Sequence, residues 1–270
     1  MSEAALFATM TFSEIYEQQL VGPLFRPFAE AVIARINPAP GDRLLDVACG
    51  TGIVARVARE RMGAGAAIVG VDASPQMLAV ARKIDPATDW RQGNAAQLPV
   101  ADGEHFSVVT CHQGLQFFPD RLAAVREMHR VLSPGGRVAI ATWRPLEEST
   151  FFHELHPIAE AQLGPITDAR HGLGDGDAIV RLLADAGYED AGVETMRRNV
   201  RMPDGKVFAR LNAAALASMS EQGKSLSEEE RQCLIARIAD DSAGVVDKYI
   251  RNGALVFELA TNIATARRRA

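Results

Sequence analysis

The apolar and polar positions of the chain alternate between two periods. Short apolar or β-branched runs, bounded by polar or turn residues, predict strands at 43–48, 67–72, 88–92, 106–111 and 136–143, of which 88–92 is the most polar. Apolar residues at helical spacing predict helices between several of these strands, at 53–62, 75–84 and 120–132. Strands that alternate with helices in this way indicate a parallel sheet with helices on both faces.

The two ends of the chain have a different pattern. Residues 12–36 are predicted to be helical, with Gly22 and Pro23 dividing two pieces. Beyond Trp143 we expect a half-exposed strand at 191–201 and helices at 149–163, 177–186, 206–220 and 227–240. Ser227 and Glu230 have the spacing of a capping box. Residues 254–265 fit a last strand, although a helix is left open.

Composition narrows the class of protein. The 270 residues are 47% hydrophobic and 23% charged, with a net charge of −5, which is typical of a globular chain without the basic surface of a nucleic-acid binder. Cys49, Cys111 and Cys233 are too widely spaced for a disulfide framework or a thiolate zinc site. No stretch resembles a signal peptide or a membrane span. We therefore expect a cytoplasmic protein with no nucleic-acid or membrane partner.

A glycine-rich turn after the first strand predicts a nucleoside site. The strand at 44–47 ends in Ala48-Cys49-Gly50-Thr51-Gly52, where glycine permits positive φ and close approach of a ligand to the backbone. About 20 residues after Gly52, the second strand ends in Asp72. A carboxylate at that position accepts hydrogen bonds from both hydroxyls of a ribose. Both features belong to the carboxyl edge of the same parallel sheet.

The same glycine spacing also fits a loose dinucleotide fingerprint, Gly50-x-Gly52-x-x-Ala55. Asp46 distinguishes the two interpretations, because it precedes Gly50 by four residues inside the first strand. A pyrophosphate over this turn has no need of a carboxylate. A methionine-derived cofactor carries an ammonium and a sulfonium, which nearby negative charge favours. The pattern therefore favours S-adenosyl-L-methionine over a dinucleotide.

Residues 44–142 resemble the class I S-adenosylmethionine-dependent methyltransferases, in particular the small-molecule branch with the ubiquinone and menaquinone methyltransferases. The resemblance lies in four motifs, at 46–52, 70–78, 93–100 and 130–138. Two positions depart from the family pattern. Ala48 replaces the first glycine of the first motif, and Asn94 stands where an acid usually bonds the adenine amino group. The amide oxygen of asparagine can accept the same bond.

The resemblance implies a Rossmann-like, seven-stranded, mostly parallel sheet with helices on both faces and a small helical lid or insert. It implies S-adenosyl-L-methionine as cofactor and S-adenosyl-L-homocysteine as product. The predicted cofactor-binding residues are Asp46, Ala48, Cys49, Gly50, Thr51, Gly52, Asp72, Ala73, Met77, Gly93, Asn94, Ala95, Gln113 and Tyr16. For Tyr16, core packing is an equal alternative.

Histidines are the candidate catalytic residues, in addition to the predicted cofactor-binding residues. His112, after the fourth strand, is the predicted general base, and the alternative is that it bonds the cofactor or lines the strand end. His153 and His156 are three residues apart on a predicted helix, and His171 follows in a loop. A metal interpretation of these three lacks the usual ligand spacing, so we predict no metal site and place them near the acceptor or on the surface.

The parts without family motifs should determine the acceptor. We divide the chain into a helical cap at 1–40, a cofactor-binding core at 41–202 and 248–270, and a helical insert at 203–247. Apolar residues in the insert predict a lid over a small, partly hydrophobic acceptor, or equally a homodimer contact. A non-catalytic S-adenosylmethionine-binding protein and a protein or RNA methyltransferase stay open as alternatives.

Overall fold

The computed structural model describes residues 9–270, so the first eight residues of the predicted cap lie outside the described residues. Each predicted strand is present within a few residues of its expected bounds. The strands are β1 Arg43–Val47, β2 Ala67–Asp72, β3 Asp89–Gln92, β4 Phe106–His112, β5 Leu132–Trp143, β6 Glu189–Met202, β7 Ile250–Arg251 and β8 Ala254–Arg267. The choice left open at 254–265 is settled as a strand, which is buried along most of its length.

The strands form one sheet in the order β3-β2-β1-β4-β5-β8-β6. The five strands from β3 to β5 are parallel, whereas β8 runs antiparallel to both β5 and β6. The two-residue strand β7 pairs with β8 outside this path. The predicted Rossmann-like, mostly parallel sheet of seven strands is therefore confirmed, with β7 as a small addition.

The α-helices of the described residues are α1 Phe12–Tyr16, α2 Arg26–Ile36, α3 Ile53–Met62, α4 Pro75–Ile84, α5 Arg121–Val131, α6 Thr150–Leu163, α7 Gly176–Asp185, α8 Gly205–Met219, α9 Glu221–Ser225, α10 Glu228–Asp241 and α11 Ala243–Lys248. Helices cover both faces of the sheet, and those that do so present an apolar stripe to it. Val32, Val54 and Leu78 bury α2, α3 and α4 on one face. Met128 and Ile179 bury α5 and α7 on the other.

The predicted break at Gly22-Pro23 is wrong. The chain continues from α1 into a π-helical segment, Glu17–Phe25, that leads directly into α2. Proline has no backbone N–H to donate, and the wider π-helical turn accommodates this residue without ending the helix. The continuous helix carries Phe25 over the carboxyl edge of the sheet, where its ring meets Tyr16 and Trp143.

The segment between β6 and β7 is helical, formed by α8 to α11. It packs on α6 through a separate apolar cluster that includes Leu163, Leu216, Leu234 and Ile238. The capping box of Ser227 and Glu230 is confirmed at the start of α10. None of the helices within residues 9–270 is long and apolar enough to cross a membrane.

Candidate functional site

A cavity of about 1380 Å³ lies at the carboxyl ends of β1, β2 and β4. It extends from the glycine-rich turn after β1 to the inner side of α8. In open α/β sheets, ligands bind at this edge, outside the carboxyl ends of the strands. The fold therefore brings the residues of the sequence motifs and the helical insert to the same cavity.

The turn after β1 has an unusual backbone. Ala48, Gly50 and Gly52 all have positive φ, at 57°, 56° and 89°. The N–H of Cys49 donates to the carbonyl of Val71 at 3.0 Å, which ties the turn to the end of β2. This conformation explains the glycines at 50 and 52, whereas Ala48 adopts it at a steric cost.

Asp72 holds the turn from the neighbouring strand. One carboxylate oxygen accepts from the N–H of Gly50 at 2.8 Å, and the other accepts from the N–H of Ser74 at 2.8 Å. An ionised carboxylate has about four lone-pair sites, so each oxygen retains capacity for another donor. Asp72 lines the cavity and can accept hydrogen bonds from a ribose there.

Asp46 lies behind the turn and not in the cavity wall. Its side chain is buried, with one oxygen accepting from the hydroxyl of Thr110 at 2.8 Å. The second oxygen has no hydrogen-bond partner among the described residues. Burial raises the pKa of Asp46 to about 7, the Thr110 hydroxyl opposes this rise, and the charge of Asp72 adds to it. A cation in the cavity would favour the ionised form.

The indole of Trp90 supports the turn from below, a contact that the sequence motifs do not reveal. A Cβ built on Gly52 would lie 2.4 Å from the ring, and one on Gly70 would lie 2.3 Å from it. The indole N–H donates to the carbonyl of Asp85 at 2.7 Å, which fixes the plane of the ring. The polar run that we assigned to β3 therefore carries a residue on which the turn rests.

The structure brings most of the predicted site residues to this cavity. The lining residues among them are Tyr16, Ala48, Gly50, Asp72, Ala73, Met77, Gly93, Asn94, Ala95, His112 and Gln113. The other predicted residues shape the turn without lining the cavity and are Asp46, Cys49, Thr51 and Gly52.

Two amides near the cavity already have internal partners. The side-chain oxygen of Asn94 accepts from the N–H of Ala96 at 2.9 Å and closes a small turn. Gln113 has a positive φ of 57°, and its side-chain amide donates to the hydroxyl of Thr261 at 2.9 Å. Gln113 thereby joins the end of β4 to β8, a structural role beside its predicted contact with a ligand.

His112 lies at the end of β4 in the cavity wall and is buried. Its ring packs edge-on against Phe25, and its Nε2 has no hydrogen-bond partner among the described residues. Burial lowers the pKa of His112 to about 4. The imidazole is therefore neutral at pH 7, and no charged group within residues 9–270 raises its pKa.

The far half of the cavity is aromatic and was not identified from the sequence. Trp143, Phe152 and Phe208 line it, together with Arg170 and Asn212. These residues come from a strand, two helices and a loop that are distant along the chain, so no local motif marks them. The signals in the sequence were the adjacent Phe151 and Phe152 on a predicted helix and the apolar residues of the insert, from which a lid over the acceptor was predicted.

A chain of polar side chains crosses this half. Arg170 donates to both oxygens of the buried Asp168, with the shortest bond at 2.6 Å, and to the side-chain oxygen of Asn212 at 2.9 Å. The pKa of Asp168 is lowered, because these bonds and the charge of Arg170 outweigh the opposing effect of burial. Asn212 belongs to α8, so these hydrogen bonds fix the insert to the loop before α7.

The three histidines considered for a metal, His153, His156 and His171, line a second, smaller cavity. His156 pairs with Glu160 at 3.5 Å, and His153 is exposed. Within residues 9–270, no group of three or more His, Cys, Asp or Glu side chains is placed to hold a metal ion.

Ala48 and Gly114 form a pair whose sizes should be interchangeable. A Cβ on Gly114 would lie 2.5 Å from the Cβ of Ala48, so Gly114→Ala should lower the free energy of unfolding by about 1–3 kcal/mol. Ala48→Gly removes that atom and the left-handed strain, and should stabilise by about 1 kcal/mol. The double variant should recover most of the loss in urea unfolding. A double variant as unstable as Gly114→Ala alone would contradict this packing.

Comparison with known proteins agrees with the motifs. The family model described as "Methyltransferase domain" matches residues 45–140, which contain the turn, Asp72 and the stretch from β3 to β5. Residues 45–140 are therefore similar to a methyltransferase domain. The match lies within the predicted core, so the cap and the insert are not part of it.

Curated relatives match over the same region. The chloroplastic 2-phytyl-1,4-beta-naphthoquinone methyltransferase of Arabidopsis thaliana is 38% identical over 117 residues, which are 40% of this chain and 44% of that protein. The ubiquinone biosynthesis O-methyltransferase of Pseudomonas aeruginosa is 37% identical over 128 residues, 44% of this chain and 54% of that protein. The chain thus spans about half the length of the curated relatives that it matches.

Solved structures share the fold over more of the chain. Phosphoethanolamine N-methyltransferase 2 of Haemonchus contortus, in complex with S-adenosyl-L-methionine, has a TM-score of 0.56 at 19% identity, covering 100% of this chain and 58% of that one. The cyclase SpnF has a TM-score of 0.53 at 23% identity, covering 91% of this chain and 82% of that one. Because one of these proteins is named a cyclase, the fold alone does not define the reaction.

Proposed function

We propose that this protein is an S-adenosylmethionine-dependent methyltransferase acting on a small, partly hydrophobic acceptor. The observation that carries the proposal is a single cavity of about 1380 Å³. Its near half contains the glycine-rich turn and Asp72, and its far half is aromatic. Drug-sized ligands occupy cavities of roughly 300–1,000 Å³. The cavity therefore has room for a nucleoside and for a second molecule beside it.

The residues of the near half fit the proposed cofactor. Asp72 offers acceptors for ribose hydroxyls, and the carboxyls of Asp46 and Asp72 make this edge favourable for an ammonium and a sulfonium. When bound, S-adenosylmethionine would supply an electrophilic methyl group, whose carbon an acceptor atom would attack in line with the breaking carbon–sulfur bond, and the electron pair of that bond would pass to sulfur. The protein aligns the reactants and excludes water.

The far half favours an aromatic acceptor. The rings of Trp143, Phe152 and Phe208 offer stacking and edge contacts, and Arg170 and Asn212 offer polar ones. One curated relative is named for a naphthoquinone and another for ubiquinone biosynthesis, which supports a phenol- or quinol-like acceptor.

The helical insert at 203–247 supports a lid more directly than a dimer contact. Leu211, Asn212 and Met219 of α8 line the cavity. A lid of this kind would close the acceptor half from solvent. The homodimer, the cytoplasmic location and the role of His112 as a base stay predictions.

Asp72→Ala should weaken the binding of S-adenosylhomocysteine by about 1–3 kcal/mol, because a carboxylate acceptor is lost. Isothermal titration calorimetry measures the change, with the exposed Asp102→Ala as a control that should bind like the wild type. Asp72 also holds Gly50 and Ser74, so loosening of the turn must be separated from loss of the ribose contact.

An S-adenosylhomocysteine analogue without ribose hydroxyls makes that separation. It should bind the wild type more weakly than S-adenosylhomocysteine does, and Asp72→Ala should bind both ligands equally. If the variant still prefers the ligand with hydroxyls by the wild-type factor, Asp72 does not bind the ribose.

The activity itself is tested with radiolabelled methyl donor and a panel of phenols, catechols and hydroquinones. Transfer to one of them supports the proposal. Tight binding of the donor without transfer to any small molecule would favour a non-catalytic binding protein. Label recovered only in added protein or RNA would favour a macromolecular methyltransferase.

A further inference from the structure

His171 lies in the wall between two cavities. It lines the acceptor half of the main cavity, and it also lines a second cavity of about 620 Å³. The second cavity reaches the surface, since the exposed Glu147 and His153 form part of it. Its titratable lining residues besides His171 are Glu147, His153, His156, Glu160 and Asp168.

A backbone carbonyl fixes the tautomer of His171. Its Nδ1 lies 2.7 Å from the carbonyl oxygen of Arg144. A carbonyl oxygen only accepts hydrogen bonds, so Nδ1 carries a proton. The Nε2 of the neutral ring therefore has a free lone pair. The carbonyl is held in place because the N–H of Arg144 donates to Ala260 at 3.0 Å and its guanidinium donates to Gly174 at 3.2 Å.

The groups around His171 leave it neutral but able to take up a proton. Burial lowers the pKa of His171, whereas the bond to the Arg144 carbonyl and the charges of Asp168 and Glu147 raise it. Arg170 acts in the same direction as burial, although its charge is paired with Asp168. His171 thus has carboxylates nearby to stabilise an imidazolium.

His112 lacks this support. It faces the ring of Phe25, and burial is the sole cause of its lowered pKa. A proton placed on His112 would lie against the ring of Phe25 in the wall of the main cavity, while His171 borders a second cavity that has carboxylates and reaches the surface. A proton acceptor works best when its conjugate acid is stabilised and can release the proton.

We propose that His171 is the proton acceptor for a phenolic hydroxyl bound in the main cavity, and that the proton leaves through the second cavity. The inference rests on the proposed function and specifies its acceptor as an ionisable hydroxyl compound. The O–H bond of the acceptor breaks and its electron pair stays on oxygen, while an N–H bond forms at Nε2. The imidazolium then returns a proton to water in the second cavity.

His171→Asn gives a sharp test. An asparagine amide nitrogen can occupy the place of Nδ1 and keep the bond to the Arg144 carbonyl, while Nε2 is deleted. The probe is 4-nitrocatechol, whose ionisation changes its visible spectrum, titrated with pH on protein saturated with S-adenosylhomocysteine. Bound to the wild type, the probe should ionise at lower pH than when bound to His171→Asn. The exposed His105→Asn should match the wild type.

Turnover gives a second measurement. With an acceptor found in the radiolabel screen, His171→Asn should lower kcat by about 100-fold or more, and the loss should diminish at high pH, where hydroxide ionises the acceptor. Affinity for S-adenosylhomocysteine should not change, which shows that the variant is folded.

The two proposals fail differently. A wild type that binds neither S-adenosylmethionine nor S-adenosylhomocysteine refutes the proposed function. If S-adenosylhomocysteine binds, then a 4-nitrocatechol that does not bind, or that ionises at the same pH in wild type and His171→Asn, overturns the role of His171.

Discussion

Replacing Trp90 by alanine is expected to lower the free energy of unfolding by about 3–5 kcal/mol, as large aromatic truncations in a packed core do. The indole fills the space left by Gly52 and Gly70, and its N–H occupies the carbonyl of Asp85. Without the ring, both the glycine turn and the end of β2 lose their support. Urea unfolding measures the stability, and calorimetry should show weaker binding of S-adenosylhomocysteine as the turn loosens.

Trp90→Phe is the matched control. It keeps an aromatic ring against the two glycines and loses the hydrogen bond to Asp85, so it should cost less than Trp90→Ala. It should also retain most of the binding. If both variants unfold at the same urea concentration, Trp90 does not stabilise the protein by filling the space under the turn.

Asp46→Asn is expected to change how stability depends on pH. The folded pKa of Asp46 is about 7, above the value of about 3.9 for an unfolded aspartate, so the folded state binds more protons between these values. The stability contributed by the protonated carboxyl is therefore fully present below about pH 3.9 and is lost as the pH rises through about 7. Asparagine does not titrate, so the free energy of unfolding of the variant should rise relative to that of the wild type across this window, by on the order of 4 kcal/mol in total.

The measurement is urea unfolding at several pH values from 5 to 8. The unpartnered amide nitrogen of asparagine lowers the free energy of unfolding by an amount that does not depend on pH. The two proteins are therefore compared by the slope of the free energy of unfolding against pH, and not by its absolute value. Thr110→Val removes the hydroxyl that lowers the pKa of Asp46 and should shift the wild-type transition to higher pH. Parallel curves for the wild type and Asp46→Asn would show that Asp46 does not titrate in this range.

The same variant reports on the cofactor. If the ionised Asp46 favours a ligand ammonium, the affinity of the wild type for S-adenosylhomocysteine should rise as the pH passes through 7. Asp46→Asn should lose this rise. The carboxyl then has opposite effects, since its ionised form destabilises the protein alone and favours the bound ligand.

The fold could be predicted because its signals are local. Strand and helix periods, the glycine turn and the capping box at Ser227 depend on residues close together in the chain, and the structure agrees with them. The error at Gly22-Pro23 has a local origin too. Sequence rules treat proline as a helix breaker, but packing of Phe25 and its neighbours stabilises a π-helical turn there.

The near half of the cavity, around the glycine-rich turn and Asp72, could also be predicted from the sequence. The glycine-rich turn follows β1, and Asp72 ends the adjacent strand β2. Because the carboxyl ends of parallel strands meet at one edge of the sheet, Gly50 and Asp72 lie within hydrogen-bond distance. The motif does not specify how far each side chain lies from the cavity. Asp46 lies behind the turn and Trp90 beneath it, and neither position follows from spacing alone.

By itself, the sequence determined the Rossmann-like sheet and predicted most of the residues that line the cavity around the glycine turn, because these features have a fixed spacing along the chain. Only the tertiary structure decided the acceptor half. Trp143, Phe152, Arg170, His171 and Asn212 are brought together by helices and loops from distant parts of the chain. Such contacts depend on how elements pack, and no period along the chain encodes that.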